Sequence, residues 1–119
     1  MKEKKDPKIF FEHILESIRE IDNNLAGMSE KVFYRSTMVQ DATVRRLEII
    51  GEAVRNISEF FRRKYTKVPW KKIAGLRDIL IHEYFGVDMR LVWKITKKDI
   101  PKLKKQIVDI LRNITNLKS

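Results

Sequence analysis

Apolar residues along this chain recur at spacings of three and four, the pattern of one buried helix face. Ile14, Ile18, Ile21 and Leu25 follow one another at four, three and four. They predict a first helix closed by "AGMS", with Gly27 at the position after the cap where a left-handed residue is favoured. Glu30 to Ser36 reads as a short helix or turn. Thr37 followed by Gln40 has capping-box spacing and opens the longest run. Leu47, Ile50, Val54, Ile57 and Phe61 form its stripe, and "RRKYTK" puts positive charge at its C-terminal end, where the helix dipole favours it. Pro69 can begin a further helix that carries "RDILIHEYFG" (77–86) and stops near Gly86. Asp88 can cap a short helix through "MRLVWKIT". Asp99, just before Ile100-Pro101, reads as the N-cap of a last helix with the stripe Leu103, Ile107, Ile110, Ile114 and Leu117. No useful strand-like alternation and no repeat interrupt this series. The pattern predicts an all-α, up-and-down bundle of four long helices plus short ones, in one domain spanning residues 1–119.

Composition narrows the function classes. The chain has no cysteine, which excludes disulfides, thiolate metal sites and cysteine nucleophiles. The N-terminus lacks the apolar core of a signal peptide, and no run nears the roughly 18 apolar residues of a membrane span. A cytoplasmic location without membrane attachment is the expectation. The formal charge is +10, so polyanions are the favoured partners on electrostatic grounds. That charge is uneven. Residues 1–30 carry five basic and seven acidic side chains, whereas residues 94–119 carry eight basic against two acidic. A solvated, lysine-rich surface and a nucleic-acid footprint both fit that bias.

Only "RDILIHEYFG" sets reactive groups among core residues. On a helix Asp78 and His82, four apart, are neighbours, so the carboxylate could orient the imidazole. Arg77 and Tyr84, seven apart, also share a face. Arg77 and His82 are about 140° apart on a straight helix and do not easily converge on one small group. A bend, a helix end or a second copy across a two-fold axis would be needed. An arginine and a histidine without a metal suit phosphodiester chemistry. The guanidinium binds phosphate and steadies its developing charge, while an imidazole moves the proton of a ribose hydroxyl or of a leaving oxygen. No metal or other cofactor is expected, since His13 is the only other histidine and no ligand spacing is present. Spacing alone equally admits a structural ion-pair group at a helix seam. On the same basis Tyr84 could be an interface aromatic, His13 a surface residue, and Trp70 and Trp93 packing anchors. Gly51 within "EIIGEAV" reads as a close-packing point between helices.

Arg77, four residues, His82, one residue, Tyr84 resembles the signature of the HepT-like toxins of the HEPN superfamily. "RRLEIIGEAV" (45–54), "VPWKKIAGLRDILIHEYFGVD" (68–88) and "VWKITKKDIPKL" (92–103) resemble the same family in order and spacing. The likeness spans nearly the whole chain and is weakest in residues 1–35. It implies an α-helical homodimer formed through the motif helices. The implied activity is a metal-independent endoribonuclease toxin of a type II toxin–antitoxin module, acting on tRNA or mRNA. Arg77 and His82 would be the catalytic pair in a composite dimer cleft. Tyr84 would accept AMP from a partner minimal nucleotidyltransferase, which neutralises the toxin. Asp78 would be a supporting or orienting residue, at a position where asparagine is more usual. Two other classes stay open: a non-catalytic nucleotide- or substrate-binding adaptor of the nucleotidyltransferase, and a basic dimeric scaffold.

Overall fold

The computed structural model describes residues 6–82 and 88–118, with residues 81–82 and 116–118 by backbone only. Its elements are α1 (Pro7–Leu25), α2 (Glu30–Arg35), α3 (Thr37–Arg55), α4 (Glu59–Lys64), α5 (Trp70–His82), α6 (Met89–Lys94), a π-helical turn (Ile95–Asp99) and α7 (Ile100–Lys118). The four long helices are α1, α3, α5 and α7, and no strand occurs among the described residues. The all-α bundle predicted from periodicity is therefore present.

Each apolar stripe faces a common core. Ile14, Ile18, Ile21 and Leu25 are buried, as are Leu47, Ile50, Val54, Leu103, Ile107 and Ile110. α1 packs against both α3 and α7, and α3 packs against α5 on another side. Gly27 adopts φ +71°, the left-handed conformation that ends α1 without a Cβ penalty. Trp70 is buried and donates its indole N–H to the Tyr65 carbonyl at 2.9 Å, and Trp93 packs against Phe33 with ring centres 5.3 Å apart. Both tryptophans serve as packing anchors. His13 is exposed on α1.

Three boundaries differ from the sequence reading. The cap of α3 is Ser36, whose hydroxyl accepts from Val39 N–H at 3.3 Å. Gln40 does not close a capping box, because its amide donates to the Phe33 carbonyl at 3.0 Å. The long run expected from Thr37 to the basic cluster is two helices. Asn56 folds its amide back on the Glu52 carbonyl at 2.9 Å, and Arg62 reaches from α4 to the Val54 and Ile57 carbonyls at 2.8 and 3.1 Å. Those bonds satisfy the end of α3 and let the chain turn while Ile57 stays buried.

The third difference is Asp99. It caps nothing, because α6, the π turn and α7 run on without a break. Ile100 N–H bonds to the Ile95 carbonyl, five residues back. Pro101 follows directly and lacks the N–H that an α-helix would give to the Lys97 carbonyl, and its ring crowds that turn. Widening the helix just before the proline relieves the crowding. Asp99 instead pairs with Lys72 of α5 at 3.4 Å.

Candidate active site

Gly51 sets the geometry of the segment that carries Arg77. A Cβ placed there would lie 3.1 Å from the Arg77 nitrogen, 3.1 Å from the Ile73 carbonyl oxygen and 3.2 Å from the Arg77 Cβ. The backbone of α5 therefore rests directly on α3, so close that a Cβ would fit only if α5 gave way by a few tenths of an ångström. The close-packing role read for Gly51 holds. This contact brings the start of the Arg77 side chain to the flank of α3, where Glu52 and Arg55, three residues apart, share a face.

Four charged side chains meet at that flank. The Arg77 Nε forms an ion pair with Glu52 Oε2 at 2.9 Å, and its Nη1 lies 3.9 Å from Asp78 Oδ1. The other Asp78 oxygen, Oδ2, accepts a hydrogen bond from Arg55 Nη2. The order along the row is Glu52, Arg77, Asp78, Arg55, with the sign of charge alternating. All four are open to water, and the Arg77 side chain is 38% exposed. Glu52 and Arg55 were not among the candidate residues read from the sequence. The available signal was a glycine inside a helix followed one and four positions on by charged residues that share a face.

The imidazole of His82 and the whole of Tyr84 lie outside the described residues. The backbone of His82 closes α5, five residues beyond Arg77. The expected Asp78–His82 contact therefore falls outside the described side chains, and the partners Asp78 does show are Arg55 and Arg77.

Another face of α5 borders a cavity of about 360 Å³ against α6 and the π turn. Its walls include Leu76, Ile79, Leu91 and Ile95, with Lys72 and Lys98 among the residues around it. Ile79 and Leu91 are each about half exposed. Nearby, Asp88 caps α6 through Arg90 N–H at 2.9 Å, and this bond holds its carboxyl below the ordinary value. Tyr34 on α2 has its phenol pushed up to about 12 by partial burial and by the hydrogen bond it donates to Glu30 at 2.6 Å. Among the described residues, no group of three or more acidic or histidine side chains is placed to hold a metal ion. No described helix is long and apolar enough to cross a membrane.

Comparison with known proteins shows the family of the chain. The family model described as "Ribonuclease HepT-like" matches residues 14–110, which include the crossing and the whole Arg77–His82–Tyr84 segment. The chain belongs to this family. A "Probable ribonuclease HepT" of Thermococcus cleftensis is 44% identical over 101 residues, covering 85% of this chain and 92% of that one. A protein named "Putative RNase" in Caldanaerobacter subterraneus subsp. tengcongensis is 48% identical over 108 residues, 91% of this chain and 96% of its own length. A "Gamma-glutamylcyclotransferase and putative RNase" of Methanocaldococcus jannaschii is 49% identical over 116 residues. That alignment covers 98% of this chain but only 52% of the relative, so the chain spans about half of that protein. No solved structure matches. The resemblance read from the motif thus holds at the level of the family, and the HepT-like assignment rests on most of the chain.

Proposed function

We propose that this HepT-like protein is an endoribonuclease whose catalytic pair is Arg77 and His82, completed across a homodimer. The observation that carries this reading is Arg77 itself. Its side chain is 38% exposed and ion-paired to Glu52 at Nε, while the nearest carboxylate to its Nη1, Asp78, lies 3.9 Å away. A guanidinium held in this way can bind a phosphodiester and steady the charge that builds on it in the transition state. The relatives named as ribonucleases support the same substrate class.

The chemistry needs no metal. A His82 imidazole takes the proton of a ribose 2′-hydroxyl, and the 2′-oxygen attacks phosphorus. The bond to the 5′-oxygen breaks, that oxygen receives a proton, and a 2′,3′-cyclic phosphate and a 5′-hydroxyl result. One imidazole cannot be base and acid in the same step, so the histidines of two protomers divide the work. Helix geometry supports this division, since five residues separate Arg77 from His82 and place them about 140° apart on one helix. The half-exposed Ile79 and Leu91 beside the α5–α6 cavity supply an apolar surface for the second copy. Asp78 supports the pair by keeping Arg77 engaged when no RNA is present.

Tyr84 is the proposed control point of a toxin–antitoxin module. Its phenol oxygen attacks the α-phosphate of ATP held by a partner nucleotidyltransferase, pyrophosphate leaves, and AMP remains on the tyrosine. Tyr34 is a poor candidate for this modification, because its phenol is bonded to Glu30 and resists ionisation up to about pH 12. Tyr65 is half-buried, with its hydroxyl 3.4 Å from the Asn113 amide.

The deciding experiment incubates purified protein with tRNA and mRNA in EDTA, beside the His82→Ala variant. Cleavage by wild type and its loss in the variant is the expected result. RNA left equally intact by both removes the ribonuclease reading and leaves the adaptor. Intact-mass measurement after co-expression with the partner checks the second claim, and an unmodified Tyr84 in a neutralised complex would overturn it.

A further inference from the structure

We infer that Arg55 is a second phosphate-binding residue of this site, and that Asp78 occupies the phosphate position until RNA arrives. The inference rests on the ribonuclease reading for its substrate, but it arises from a separate observation. One carboxylate lies between two guanidinium groups drawn from different helices. Asp78 reaches Arg55 of α3 through Oδ2 and faces Arg77 of its own helix through Oδ1.

A carboxylate in that position presents two oxygens that share one negative charge. A phosphodiester presents the same set through its two non-bridging oxygens. Both anions therefore compete for the same donors. The hold of Asp78 is weak on both sides. Its Oδ1 is 3.9 Å from Arg77 Nη1, beyond hydrogen-bond range. Its bond to Arg55 is between side chains 40% and 49% exposed, where water screens the attraction. Arginine–phosphate contacts are charge-assisted and frequently bidentate, which favours the phosphate in the exchange.

The two carboxylates of the row differ in role. Glu52 forms an ion pair with the Arg77 Nε at 2.9 Å. A phosphate arriving at the Nη edge leaves that bond in place, so Glu52 fixes the orientation of Arg77 throughout. Asp78 lies on the edge the phosphate needs. Once displaced, it frees Arg55, which has no other carboxylate within ion-pair distance among the described residues. Two guanidinium groups then clamp one strand of RNA.

Binding of a 2′-O-methyl RNA oligonucleotide, which cannot be cut, tests this on the full-length protein by fluorescence anisotropy. Asp78→Asn keeps the size of the side chain and removes its charge. It is expected to tighten binding about threefold to fivefold. Arg55→Ala is expected to weaken binding about tenfold and to reduce the slope of log K against log salt by roughly 0.7, the loss of one phosphate contact on a single strand. In the double variant the gain from Asp78→Asn should shrink, because only Arg77 is left to be released. Arg55→Ala binding RNA with wild-type affinity and salt slope overturns the inference. So does Asp78→Asn that fails to tighten binding while lowering the cleavage rate, since Asp78 would then be orienting His82. Failure of the ribonuclease reading looks different. It appears as absent cleavage by wild type, whatever the oligonucleotide binding shows.

Discussion

The two sides of α3 are built on opposite principles. α3 packs against α1, and its Val44, Leu47 and Val54 belong to the same buried cluster as Phe11, Ile14 and Ile18 of that helix. Toward α5 it presents a glycine, and the charged row of Glu52, Arg77, Asp78 and Arg55 forms at the edge of that contact. The first side gains its free energy from apolar area removed from water. The second also lies beside the buried Ile73, Leu76 and Leu80 of α5, so its exposed ion pairs add little and their value lies in where they are placed. One face of a single helix holds the bundle together while another fixes the position of an arginine.

The largest expected effect strikes the first side. Phe11 is completely buried and meets Phe61 edge to face at 5.3 Å. Phe11→Ala should cost about 3–5 kcal/mol in denaturant unfolding, from lost transfer and a residual cavity. A cost under about 1 kcal/mol would mean that the buried face of α1 does not carry the stability assigned to it. Gly51→Leu comes next, at about 1–3 kcal/mol, because backbone atoms of α5 cannot move aside as a flexible side chain would. Its distinguishing sign is that RNA cleavage falls more steeply than stability, since the shift displaces Arg77. Gly51→Ala with wild-type stability and activity would show that the close approach is not required.

Glu52→Ala sharpens the comparison from the other direction. Breaking an exposed pair should cost no more than about 1 kcal/mol, and a double-mutant cycle with Arg77→Ala should return a coupling of that size. A coupling several times larger would place this side among the structural seams. The smallest effect concerns pH. Asp88 has its carboxyl lowered in the fold, so its contribution is present above the unfolded value near 3.8 and is lost as pH falls through the folded one. The acid limb of the thermal-stability curve should be shallower in Asp88→Asn. An identical acid limb would remove Asp88 from the groups that set it.

Periodicity carried the fold well because burial and helix spacing are the same information for Ile14, Ile18, Ile21 and Leu25, or for Leu103, Ile107 and Ile110. It failed at Asn56–Ser58 because Ile57 continues the stripe while the backbone leaves the helix, so a pattern of side chains could not reveal the break. Capping failed at Asp99 for a related reason. An acidic residue before a proline looks like a start signal, yet here the helix widens instead of beginning. At the site, Arg77 and Gly51 were legible because each is unusual in its surroundings. Glu52 and Arg55 were not, since charged residues on an exposed helix face are ordinary until a second helix crosses them. Asp78 shows the limit of spacing most clearly. Its pair with Arg55 joins two helices, which spacing along one helix cannot show, and the expected contact with His82 lies outside the described side chains.

The π turn has a bearing on how the last thirty residues fit together. Val92 is buried before it, Ile95 at its start, and Ile100, Leu103 and Ile107 after it. From Ile95 to Ile100 the step is five, which an ordinary α-helix would turn about 140° away. The wide turn accommodates the surplus residue, so the two stretches keep a common bearing on the core. It works as a vernier on the helix, letting a chain with one residue too many still count in whole turns.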